Sequence, residues 1–149
     1  GSAPSIVKVF DLSSRQLLRK YETTGIGMNS LIATDLQTHT TKVVLGKQNG
    51  IIEILDYTNQ KVLHSISAHP MAVNRICYLS KDLFLSVAES TAPSSNVKIW
   101  NLNDGTLDKT LAIHDTSVKE CEALPNEMVA TAGFHIAIWY LLILLKELE

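Results

Sequence analysis

An all-β fold of repeated antiparallel sheets is predicted by three observations. Val97-Lys-Ile-Trp-Asn101 lines up with Ile52-Glu-Ile-Leu-Asp56 and with Val7-Lys-Val-Phe-Asp11 at a constant offset of 45 residues. The same offset joins His114 to His69, Leu107 to Val62 and Leu17, and Val118 to Val73 and Met28. Between these landmarks, short β-branched stretches alternate apolar and polar residues and are broken by turn chemistry, most clearly at Asn49-Gly50 and Asn103-Asp-Gly105. A fourth copy, Ile136-Ala-Ile-Trp-Tyr140, follows after 39 residues. Strands repeating at a period of about 40–45 residues are the signature of propeller blades, each a four-stranded antiparallel meander.

Taken in order, 6–10 and 17–21 form a hairpin around the turn residues Asp11-Leu-Ser-Ser14. Residues 29–36, 42–46, 51–55 and 62–67 make the next unit, with Asn49-Gly50 as its hairpin signal. The third unit runs through 73–79, 83–88, 97–100 and 107–112, with a long polar loop at 89–96 that should be mobile and cleavable. The fourth begins in register at 118–123, 128–132 and 136–139, then departs. Leu142-Ile-Leu-Leu145 stands where the other units place turn residues, so 140–149 is read as a short C-terminal helix or a strand extension. The expected organisation is a lead-in at 1–4 and a repeat region at 5–149, with blades at 5–24 (partial), 25–68, 69–113 and 114–149.

Composition narrows the function. With 13 basic and 15 acidic residues the net charge is −2, and no basic block is present, which speaks against nucleic acid as a partner. Gly1-Ser-Ala-Pro4 reads as a cloning scar. The longest apolar run, 136–145, is too short to span a bilayer. Two cysteines, Cys77 and Cys121, and no Asn-x-Ser/Thr sequon fit reduced thiols in an intracellular protein, cytoplasmic or nuclear. Cys121 matches the apolar Ile76 in register and is expected to be a small buried hydrophobe.

The repeated elements resemble WD40 repeats. His69 and His114 occupy the place of that family's Gly-His dipeptide; Phe10-Asp11, Leu55-Asp56, Trp100-Asn101 and Trp139-Tyr140 occupy that of Trp-Asp. The resemblance covers residues 6–140 and implies a partial propeller of about three and a half blades. It also implies a His, Ser/Thr, Trp and Asp network inside each blade, giving structural roles to His69, His114, Trp100, Trp139, Asp11 and Asp56. The network's own Asp position, six before the Trp, holds Asn49, Ser94 and Gly133, so no blade is expected to complete it. His39, His64 and His135 show no such spacing and are expected at solvated or edge positions, and Lys98 is expected to be exposed.

Catalytic chemistry is not written in this chain. It has no phosphate loop, Cys-x-x-Cys, His-Glu-x-x-His or Gly-x-Ser-x-Gly, and its densest carboxylate group, Asp115, Glu120 and Glu122, reads as exposed. A cofactor and a metal are not expected. The resemblance implies a protein-interaction scaffold binding a protein or peptide at the ends of its inner strands. Mapped onto this chain, those positions are Asn29, Asn74 and Lys119, at 45-residue spacing, with Gln48 beside the hairpin turn. Thirteen or fourteen strands are fewer than the roughly sixteen that a four-bladed ring needs. The expectation is therefore a piece of a larger propeller, or a chain completed by a second copy or by further blades, with 141–145 as an apolar adhesive.

Overall fold

The computed structural model describes residues 4–23, 27–34, 42–80, 82–90, 96–112, 114–126, 128–133 and 136–140, apart from the side chains of Trp139 and Tyr140. Thirteen strands are present among them, in four antiparallel sheets taken strictly in chain order. The first sheet pairs β1 (Ile6–Phe10) with β2 (Leu17–Glu22). The second is a meander of β3 (Met28–Thr34), β4 (Lys42–Lys47), β5 (Ile51–Asp56) and β6 (Lys61–Ser67). The third repeats it with β7 (Val73–Ser80), β8 (Leu83–Ala88), β9 (Val97–Asn101) and β10 (Leu107–Leu111). The fourth contains β11 (Glu120–Leu124), β12 (Met128–Ala132) and β13 (Ile136–Tyr140). This is the all-β arc of four-stranded antiparallel blades that the repeat predicts. The C-terminal 141–149, and most of the loop expected to be cleavable, lie outside the described residues.

The sheets stack face to face, and each gap between them holds one apolar layer. Val43, Leu45 and Leu55 of the second sheet meet Val7 and Tyr21 of the first. Val44, Ile52 and Ile54 on its opposite face meet Val73, Ile76, Phe84 and Trp100 of the third. Leu85, Val87, Val97 and Ile99 then meet Val118, Cys121 and Val129 of the fourth. Because side chains alternate between faces, a strand sandwiched on both sides is apolar throughout, as Val43–Leu45 and Leu83–Leu85 are. Among the described residues the first sheet has a neighbour on one side only, and β1 alternates exposed and half-buried.

Two local features set the register. Gly50, at φ +79°, closes the β4–β5 turn, and its carbonyl accepts the amides of Ala68 (3.1 Å) and His69 (3.0 Å). An added Cβ there would lie 2.0 Å from the His69 carbonyl oxygen, so this turn can press on the start of the third unit only as glycine. In the fourth unit the strand starts at Glu120, two residues later than the repeat suggests. The reason is that Val118 is engaged by the third sheet: its amide donates to Ala88 O (3.2 Å) and its carbonyl accepts Asn74 Nδ2 (2.7 Å).

Candidate functional site

The blade network is built further than the sequence suggests. Trp100, 4% exposed, donates Nε1–H to Ser86 Oγ at 2.8 Å, and His69 Nε2 meets the same hydroxyl at 2.7 Å. The His69 and Trp100 rings pack edge to face, centroids 6.4 Å apart. The third unit therefore holds three of the four network members, and the sequence has Ser94 in place of the carboxylate. In the fourth unit His114 Nε2 meets Thr131 Oγ1 at 2.8 Å. An added Cβ at Gly133 would stand 3.5 Å from His114 Nδ1 but 2.7 Å from Ser117 O, so the carboxylate position is empty there and closed by backbone.

In the second unit the strand register places Leu45 and Leu55 where the third has Ser86 and Trp100. Both are buried, and that blade is held on this face by apolar packing and a buried Lys47–Glu53 ion pair at 2.6 Å. Asp11 and Asp56 serve turns instead of the blade interior. Asp11 accepts Ser13 Oγ (2.6 Å) and the Ser14 amide (2.7 Å), which hold its carboxyl down at about 2. Asp56 accepts the amide (3.0 Å) and side-chain nitrogen (2.8 Å) of Asn59, with its pKa lowered by the same two bonds.

Two residues expected at exposed or edge positions are contacts between blades. Lys98 is half-buried; it donates to Ala68 O at 2.7 Å across the second-to-third junction and lies 5.7 Å from the Trp100 ring centroid. Burial lowers its pKa. Half-buried His64 meets Asn103 O at 2.9 Å, joining the outer strand of the second sheet to a turn of the third. His39 and His135 lie outside the described residues. Cys77 and Cys121 are both buried in the layer between the third and fourth sheets, where a hydrogen bond with Cys77, then burial, push the Cys121 thiol far above its usual range. Neither thiol is expected to react with a thiol-selective reagent in the folded protein, and both should react after denaturation. Prompt labelling of the native chain would contradict this packing.

The four candidate recognition residues fall into two groups. Asn74 and Lys119 meet where the third sheet joins the fourth: Asn74 Nδ2 donates to Val118 O, and the next residue, Lys119, pairs with Glu89 at 2.7 Å. Arg75 and Glu120 pair at 2.8 Å beside them. Arg75, Glu89 and Glu120 belong to this polar row and were missed by register alone. Asn29 is exposed on β3, and exposed Gln48 lies in the β4–β5 turn, its amide donating to Gly27 O at 3.0 Å. Among the described residues no group of three or more His, Cys, Asp or Glu is placed to hold a metal, and no helix is long and apolar enough to cross a membrane.

No family model matches the chain. It is 27% identical over 79 residues to U3 small nucleolar RNA-associated protein 15 of Schizosaccharomyces pombe, covering 52% of this chain and 15% of that protein. It is 26% identical over 116 residues to human apoptotic protease-activating factor 1, covering 75% of this chain and 9% of that protein. The chain thus spans a small part of the curated relatives it matches. Among solved structures it is similar to two computationally designed proteins. Ika4 has a TM-score of 0.74 at 22% identity, covering 94% of this chain and 82% of that one. Ika8 has a TM-score of 0.74 at 20% identity, covering 91% and 40% respectively. These structural likenesses concern fold alone, and the sequence matches are partial similarities at 26–27% identity.

Proposed function

We propose that the chain is a non-catalytic protein-interaction scaffold of the WD40 type, working inside the cell, in the cytoplasm or nucleus. The observation that carries this reading is the polar row at the junction of the third and fourth sheets. There Asn74, Arg75, Glu89, Lys119 and Glu120 hold charge and hydrogen-bonding groups at the surface of a rigid, two-sided apolar stack. Asn29 and Gln48 extend the face onto the second sheet. A peptide or protein segment with its own backbone and charged groups would find partners along this row, and rigid sheets beneath would spare it the cost of ordering the site.

The test is partner capture by the chain carrying Asn74→Ala and Lys119→Glu, singly and together, with thermal melts in parallel. Capture should fall while the Lys119→Glu melting temperature stays near that of the parent, since an exposed ion pair contributes little to stability. Undiminished capture by the double variant would remove this face from the account.

A second reading, a structural element completed by more blades or by a second copy, is favoured by one observation. Ile136 and Ile138, 76% and 61% exposed, repeat in register Ile52 and Ile54, which are fully buried at 0%.

A further inference from the structure

The first two junctions of the arc share one plan but are filled by different volumes. Where the second sheet meets the third, Ile52 and Ile54 lie in one layer with Phe84 and Trp100, and all four are buried. Strand register places Val7 and Val9 where Ile52 and Ile54 stand, and Val43 and Leu55 where Phe84 and Trp100 stand. Every one of these counterparts is smaller: each valine lacks a methylene of the isoleucine, and two aromatic rings are gone. Val7 and Val9 accordingly stay half-buried, although they line the junction with the second sheet.

The turn over this layer differs as well. Gly105 comes down on the outer strand of the second sheet so closely that an added Cβ would lie 3.2 Å from His64 Cβ and from Ile66 Cδ1. Forty-five residues earlier, Gln60 keeps the same left-handed backbone, φ +53° against +72°, while Arg19 and Tyr21 stand in the places of His64 and Ile66. A side chain at this position holds the turn off the strand. The result is a cleft floored by Val9, Val43 and Leu55 and walled by Tyr21 and Tyr57, with Arg19 and Gln60 at its rim. Its enclosed part is about 20 Å³, room for about one water, and counted to its open mouth it measures about 360 Å³. The walls lie on the β2 side of β1, away from the edge at which β1 has no partner among the described residues. Exposed Arg19 carries its guanidinium 5.6 Å from the centre of the Tyr57 ring. Asp56 beside it already accepts two bonds from Asn59, so the rim presents a cation.

We propose that this cleft docks a partner segment in which an aromatic side chain stands beside a carboxylate. The ring enters against Tyr57 and supplies the volume that Phe84 and Trp100 supply in the next junction. Arg19 swings off Tyr57 to meet the carboxylate: at an exposed position its contact with the ring is weak, whereas a guanidinium and a carboxylate pair through two parallel hydrogen bonds. The cleft is separate from the row of Asn74 and Lys119, and either can fail without the other.

The probe is the peptide Asp-Asp-Trp-Asp-Asp, blocked at both ends and titrated into the isotope-labelled whole chain while methyl shifts are followed. Val9, Val43 and Leu55 should move together and saturate with a Kd below about 1 mM. With alanine in place of the tryptophan, affinity should fall about thirtyfold or more. Arg19→Glu should weaken binding on the order of tenfold at an unchanged melting temperature, since the side chain is exposed. Val43→Phe fills the cleft from within and should abolish binding while melting at or above the parent. If Val43→Phe does not fold, Arg19→Glu and the alanine peptide decide. The absence of saturable shifts at these methyls, or equal binding of the alanine peptide, would overturn the proposal. Shifts confined to Asn74 and Lys119 would overturn it too, and leave the polar row standing. Binding of 3-phenylpropionate as tight as that of the peptide would assign the cleft to a small aromatic acid and overturn the docking of a protein segment.

Discussion

Replacing Trp100 by alanine is expected to destabilise the chain by about 3–5 kcal/mol, the range for truncating a buried aromatic side chain. The ring is 4% exposed and forms part of the layer between the second and third sheets, so its removal opens a cavity that both sheets line. It also takes away the donor to Ser86 Oγ and the edge contact with His69. For a chain of this size the melting temperature should fall by roughly 6–20 °C. Leu12, 93% exposed, supplies the control. Lys98 cannot serve as one, because it bonds Ala68 O and lies beside the ring being removed. Trp100→Phe isolates the N–H: most of the volume stays, Ser86 loses a donor, and the cost should drop to about 1–3 kcal/mol. A Trp100→Ala melt no lower than that of Leu12→Ala would mean that the third strand of this blade is misplaced.

The second large effect is expected at Lys47 and Glu53, paired at 2.6 Å with side chains 2% and 4% exposed. Removing one partner strands a buried charge, so Lys47→Ala or Glu53→Ala should each cost about 3–5 kcal/mol. Replacing both together is a different matter. The pair lies beside the layer of Val43, Leu45 and Leu55, and Lys47→Met/Glu53→Leu restores an apolar surface of similar volume. That double variant should be as stable as the parent or more so, by up to about 4 kcal/mol. A denaturant-melt cycle of the four proteins measures the coupling, and additive single losses would show that the two side chains are not paired.

This pair also shows where sequence reading stops. The 45-residue offset carried the strands because the same turn chemistry and the same third-strand pattern return in each unit, and three sheets follow it closely. What alternation could not tell is which polar positions face water. In a sheet with one wet face, a polar residue between apolar ones points outward. Here the inner sheets are covered on both faces, so Glu53, Ser86 and, in part, Lys98 point into a junction, as Thr131 does from the covered face of the fourth sheet. Lys47 was legible only as a residue of the Asn-Gly turn beside it.

Ser86 and Thr131 could have been found. They stand 45 residues apart, each a hydroxyl inside an otherwise apolar strand, and each 17 residues after the histidine it meets. The row of Arg75, Glu89 and Glu120 had no comparable signal, because it depends on how neighbouring sheets bring distant charges together. The late start of β11 was hidden for the same reason: Val118 is held by another sheet, not by its own.

The sheets stack through faces of defined parity, and methyl and aromatic NOEs from the isotope-labelled chain test that most directly. Ile54 methyl protons should show contacts to the rings of Phe84 and Trp100, while Leu85 and Val87 methyls should contact Val118 and Val129 in the layer on the other side. A slip of one residue in β8 or β9 turns every side chain to the opposite face. Contacts from Ile54 to Leu85 and Val87, with Phe84 and Trp100 found against Val129, would contradict the register on which the blades, the His69–Ser86–Trp100 network and the interaction face all depend.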